Sequence, residues 1–112
     1  MVFLLSIWKD IINLLGESVS VLLHNNEYID QNTGNVVAYS TWYSTDYVYC
    51  LGYTAIRAGI VSIYGAVYDF NKNYISAFTV STDWVAVPSG AAYFRTSDAV
   101  SRVANLNIMR RK

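Results

Sequence analysis

The chain has 112 residues, 54% of them hydrophobic and 14% charged, with zero formal net charge and a single cysteine. That length suits one domain and not two, and a domain of this size buries a real core without staples. Zero net charge supplies no pull toward nucleic acid or an acidic membrane surface, and a lone cysteine rules out a disulfide scaffold.

Residues 2–15 read as a helix. Leu4, Trp8, Ile11 and Leu15 fall on one face, Ile7, Ile12 and Leu14 widen it, and Gly16 is a stop signal. A helix this short is unstable alone in water, so it must pack on something. The breadth of the stripe predicts an anchoring or oligomerisation segment over residues 1–24, with a homotrimer favoured. A signal peptide would carry a basic start and a small-residue cleavage site, and neither is present. Lys9, Asp10 and Glu17 interrupt any membrane span. The low charged share, against ~25% in ordinary soluble domains, also predicts a surface covered by sister chains or by a larger assembly.

Glu17 to Leu23 fits either a strand or a continued helix. Asn25 to Asn35 is polar and turn-rich, with a turn at Thr33-Gly34-Asn35, and His24 just before it reads as part of a linker after the N-terminal segment. From there to the end, residues 25–112 form the predicted β domain. Val36–Ser40, Tyr47–Leu51, Tyr53–Arg57, Ile60–Tyr68, Tyr74–Val80, Trp84–Val87 and Ala91–Thr96 are short runs rich in Tyr, Val, Ile and Thr. Asn105 to Met109 is expected as a last edge strand. In the longest run Val61, Ile63, Gly65 and Val67 share one face, and Ser62, Tyr64, Ala66 and Tyr68 the other. Punctuation falls at Gly52, Gly59, Asp69 to Asn73, Ser81 to Asp83, and Pro88-Ser89-Gly90. Short strands with a turn every ten residues or so predict a mainly β fold, a sandwich or jelly roll.

The chemistry-bearing residues are sparse. One histidine and one cysteine, far apart, make no zinc site, and no nucleophile elbow, phosphate loop or dinucleotide fingerprint occurs. Asp69-x-Asn71-x-Asn73 starts like a calcium loop, but Tyr74 and Val80 stand where a glycine and a glutamate are needed, so a hairpin turn is the better account. No catalytic residue, metal or cofactor is therefore expected, and the chain reads as a non-enzyme. Tyrosine is the outstanding residue, ten of 112, with three tryptophans besides. Such rings offer a flat apolar face and a polar tip, which suits sugar rings. Trp42, Tyr43 and Trp84 lie at the edges of turn-like stretches and are the candidate glycan contacts. Cys50, in an aromatic run without basic neighbours, reads as a small buried hydrophobe. Asp46 and Arg95, charges inside apolar runs, are candidates for a buried pair.

Three stretches, Trp42 to Val48 (WYSTDYV), Ala66 to Ser76 (AVYDFNKNYIS) and Val87 to Arg95 (VPSGAAYFR), resemble in order and spacing the carbohydrate-binding-like jelly-roll modules of bacteriophage tail and head fibres, found also in surface proteins of gut bacteria. The resemblance spans residues 28–97. It implies a jelly roll, localisation to the virion, and a structural role as a capsid- or tail-attached fibre or decoration protein. Its partners would then be other virion proteins and, on the lectin-like alternative, a glycan of a bacterial surface. Fold alone does not give that function.

Overall fold

The computed structural model describes residues 15–112, which form two antiparallel sheets packed as a sandwich. Ten strands are present: β1 (Glu17–Ser18), β2 (Leu23–Ile29), β3 (Val36–Thr45), β4 (Val48–Tyr49), β5 (Ala55–Arg57), β6 (Gly65–Tyr68), β7 (Tyr74–Ala77), β8 (Val85–Ala86), β9 (Tyr93–Ala99) and β10 (Met109–Arg111). A 3₁₀ helix, Val100–Asn105, follows β9. The smaller sheet runs β1-β10-β5-β8. The larger runs β2-β3-β9-β6-β7, with β4 also paired to β9. The expected helix over residues 2–15 lies outside the described residues, and with it Leu4, Trp8 and Ile11. Leu15 is described and is exposed.

The core lies between the sheets. Ile56 and Ile108 come from the smaller sheet's side, and Val48, Val67, Phe78 and Phe94 from the larger. Cys50 is buried among them, and burial pushes its thiol up to about 11. Alternation puts Val67 into this core while Ala66 and Tyr68 face the other way. Both faces of β6 are buried, because a second, smaller core of Ile29, Ala66 and Tyr68 lies on the outer side of the sheet.

That second core exists because the β2–β3 hairpin bends. Asn25 pairs with Tyr43, but Glu27 pairs with Ala38, so Asn26 alone stands opposite residues 39–42. Asn26 (φ 62°) and Thr41 (φ 67°) both take left-handed backbone. Asn does so readily. A β-branched residue does not, and Thr41 holds strain of order 1–3 kcal/mol. Beyond this elbow the hairpin lies across the back of the sheet. The Ile29 amide donates to Ser97 Oγ (3.0 Å), Tyr68 donates to the Gly34 carbonyl (2.6 Å), and Tyr74 donates to the Gln31 carbonyl (2.7 Å).

Several expectations change. The stretch around His24 is not a linker and Asn25 to Ile29 is not a turn: the sheets begin earlier, at Glu17 and at Leu23, and only Asp30 to Asn35 forms a turn. His24 is a strand residue opposite Ser44. The long run Ile60–Tyr68 is ladder only from Gly65, preceded by a single bridge between Ser62 and Val80. The last strand, β10, sits inside the smaller sheet between β1 and β5, not at its edge. Two of the other predicted turns, at Asp69 to Asn73 and at Pro88 to Gly90, are present as expected. Asp69 Oδ1 accepts the amides of Asn71 and Asn73 (2.9 Å each), so the would-be calcium carboxylate caps a turn. The Ala91 amide donates to the Pro88 carbonyl, with Gly90 at φ 82°.

Candidate functional site

The aromatic residues fall into separate groups, and one of them encloses space. Tyr28, Tyr39, Trp42 and Tyr64 line a cleft of about 160 Å³. Trp42 meets Tyr64 at 5.1 Å between ring centroids and Tyr39 at 6.0 Å, and Tyr28 meets Tyr39 and Tyr64 at 5.7 Å each. Every contact is edge to face, the arrangement aromatic quadrupoles prefer, so the rings stand as walls and not as a stack. Tyr39 and Trp42 belong to the four β3 residues that the elbow leaves without a partner on β2, Trp42 keeping its pairing to Ala99 of β9. Tyr28 follows the elbow on β2, and Tyr64 leads into β6.

Among the described residues no charged side chain lines the cleft. Among the described residues the tyrosine hydroxyls that donate to protein acceptors are those of Tyr53, Tyr68 and Tyr74, and those of Tyr28, Tyr39 and Tyr64 meet no such acceptor. An apolar cleft with a few polar tips fits a small ring-shaped, uncharged ligand. Its volume lies below the ~300–1,000 Å³ of pockets that enclose a drug-sized molecule, so one ring fits and a larger ligand would extend beyond it.

Of the three candidate glycan contacts, only Trp42 lines this cleft. Tyr43 is 1% exposed, opposite Asp98 on β9, and its face is not available to any ligand. Burial, with the Asp98 carboxylate adding to it, pushes the Tyr43 hydroxyl up to about 12. This correction follows from strand alternation: neighbours on a strand face opposite sides, so Trp42 and Tyr43 cannot both look outward. Trp84 does not line the cleft; it stands just before β8, a strand of the other sheet. The guanidinium carbons of Arg57 and Arg111 lie 5.4 and 4.5 Å from its ring centroid. Sequence reading missed Tyr28, Tyr39 and Tyr64, which come from three different segments.

Arg95 is buried, but its partner is not Asp46. Its Nε donates to the Thr45 carbonyl (2.8 Å) and its Nη2 to Ser44 Oγ (3.2 Å), while Ser44 donates to Glu27 Oε2 (2.5 Å). Arg95 Nη2 lies 3.6 Å from that same carboxylate oxygen. Asp46 instead approaches His24 Nε2 at 3.7 Å, near the surface. The Glu27–Ser44–Arg95 chain ties β2 to β9 beside the elbow. A second pair, Asp98 with Arg102 of the 3₁₀ helix, closes the far end of β9.

Among the described residues no group of three His, Cys, Asp or Glu side chains converges as a metal site. None of their helices is long and apolar enough to cross a membrane. Compared with protein-family models, characterised proteins and solved structures, the chain matches none.

Proposed function

We propose that this chain is a non-catalytic, carbohydrate-binding-like module of a bacteriophage particle, attached to capsid or tail as a fibre or decoration protein, with the aromatic cleft as its outward contact. The observation that carries the binding part is the cleft itself: four aromatic rings from three segments, with no charged side chain among the described residues that line it. The virion setting rests on the resemblance of residues 42–48, 66–76 and 87–95 to fibre modules. Connectivity supports a jelly roll. From β4 onward the chain passes to the opposite sheet at β5, back at β6, across again at β8, back at β9 and across at β10, as Greek-key winding requires. The apolar N-terminal segment is then the part that holds the module to the particle or to sister chains.

A glycan array probed with the full chain, followed by titration of the strongest hit against tryptophan fluorescence, tests the binding part. Trp42→Ala should abolish the signal with unchanged circular dichroism, and Trp84→Phe should keep it. Binding that survives Trp42→Ala refutes the cleft as the site. An array with no hit, together with labelling of intact particles by an antibody to the chain, would leave a purely structural decoration protein.

A further inference from the structure

The arginines of this chain divide into two kinds. Among the described residues Arg95, Arg102 and Arg110 each reach a carboxylate within 4.0 Å, and each donates hydrogen bonds to the chain. Arg57 and Arg111 do neither. Both are partly buried on the smaller sheet, and both stand over one ring: their guanidinium carbons lie 5.4 and 4.5 Å from the Trp84 centroid.

Register puts them there. Arg57 pairs with Met109 of β10, and Arg111 follows two residues on, so both side chains leave the sheet on the same face. Ile56 faces the other way, into the core, so that shared face is the outer one. Val85 pairs with Ile56, which brings Trp84 level with Arg57. The indole reaches across the sheet to Gly16, where an added Cβ would stand 2.6 Å from its Cη2. A ring held from the β8 edge to the β1 edge is a firm platform, and a planar guanidinium stacked on it keeps its fork of donors oriented.

One guanidinium over an indole is favourable by itself. Two over the same indole bring like charges together and leave both forks without a protein acceptor. Asp83, the acidic neighbour in sequence, spends Oδ1 on the Trp84 amide (2.8 Å). An anion with oxygens for both forks completes the arrangement. A carboxylate has two oxygens, which one bidentate fork engages, whereas a phosphate group has three or more.

We propose that Arg57 and Arg111 form a phosphate-binding site beside the Trp84 ring, taking either free phosphate or the phosphate group of a phosphorylated carbohydrate. The site lies in the other sheet from the aromatic cleft and does not depend on it. Nucleic acid suits it poorly, because zero net charge supplies no wider positive field along which a phosphate backbone would lie.

The test uses the full chain, with inorganic phosphate and glucose 1-phosphate as probes and glucose as the uncharged control. In amide and side-chain nitrogen spectra of the unmutated chain, both probes should move the Trp84 indole N–H and the Arg57 and Arg111 Nε–H signals together, and glucose should not. Affinity should fall at least threefold between about 20 mM and about 200 mM salt. Equal affinity for the two probes assigns the site to free phosphate, and tighter binding of glucose 1-phosphate assigns it to a phosphorylated sugar. Arg57→Gln and Arg111→Gln should each weaken binding by at least about tenfold. Lys72→Gln, which removes a cation held over other rings, should leave binding unchanged. Signals of Trp84, Arg57 and Arg111 that stay still up to about 10 mM phosphate overturn the proposal, a reading that holds even where a variant fails to fold. So does a loss in Lys72→Gln as large as in the arginine variants. An oligonucleotide that binds more than about tenfold tighter than glucose 1-phosphate overturns it too, in favour of a nucleic-acid surface.

Discussion

Removing either end of the Glu27–Arg95 pair should destabilise the fold, and removing both should cost less than the sum. The Arg95 side chain is 7% exposed and Glu27 21%, with 3.6 Å between Nη2 and Oε2. At an effective dielectric of ~20 that separation gives about 5 kcal/mol of gross attraction, most of it offset by desolvation. Arg95→Ala also removes the bonds to Thr45 and Ser44 and the stacking on Tyr47, where its Cζ lies 4.9 Å from the ring centroid. A loss of about 3–5 kcal/mol is expected for it. Glu27→Ala leaves Arg95 with its carbonyl and hydroxyl acceptors, so about 2–3 kcal/mol is expected. The double variant should fall short of the sum by about 1–3 kcal/mol. Urea unfolding followed by tryptophan fluorescence reads all three, provided the slope with denaturant is unchanged. Asp46→Ala is the control: its carboxylate is partly exposed, and its removal should stay within about 0.5 kcal/mol. Additive losses for Glu27→Ala and Arg95→Ala, or an Asp46→Ala cost as large as either, would refute the pairing.

Gly65→Ala should unfold the domain or cost more than about 3 kcal/mol, because the added Cβ would stand 2.7 Å from the Arg95 carbonyl and 2.8 Å from that of Phe78, both backbone; thermal melting checks it. Tyr68→Phe should cost about 0.5–1.5 kcal/mol by urea unfolding, through the lost bond to the Gly34 carbonyl that holds the hairpin arm on the sheet. The Tyr53 hydroxyl and the Arg110 guanidinium hold the Glu17 carboxyl below its ordinary value. A depressed carboxylate contributes stability above its unfolded value that is lost as pH falls through the folded one, so Glu17→Gln should flatten the decline of melting temperature below pH ~4.5. The effect should be small, since the pair is partly exposed and screened by solvent. Cys50, buried and with its thiol raised to about 11, should react with a thiol reagent only as fast as the domain opens, measured by labelling across a urea series.

Much of the β architecture was legible because period-two patterning and turn chemistry act locally. Asp69 to Asn73 and Pro88 to Gly90 form turns for reasons contained in a few residues. The failures have a common physical cause. β2 was hidden because its sequence, LHNNEYI, carries polar residues whose partners lie on other strands: Glu27 reaches Ser44 and Arg95, and His24 approaches Asp46. Burial of polar groups is tolerated only with such partners, and nothing within β2 reports them. The Asp46–Arg95 expectation was half sound for the same reason. A charge at Arg95 in an apolar run did mean burial with a partner, but that partner, Glu27, stands on β2 beside the bulge at Asn26, remote from Arg95 in sequence.

The cleft was the least legible feature, and the elbow explains why. In an unbroken β2–β3 ladder Tyr39 and Trp42 would sit on opposite faces of one strand, since an odd spacing separates them. Thr41 at φ 67° breaks that alternation and brings both rings to one place, 6.0 Å apart. A threonine announces no such conformation in sequence, where a glycine would have done. The binding surface therefore depends on the same strained residue that folds the hairpin back over the sheet. Two properties that look separate, the second core around Ile29 and the aromatic cleft, share one cause: the bonds of the arm to Tyr68, Tyr74 and Ser97 hold the elbow bent, and the bent elbow sets the spacing of the rings. A module that keeps a β-branched residue in left-handed backbone gains a cleft whose walls are fixed before any ligand arrives.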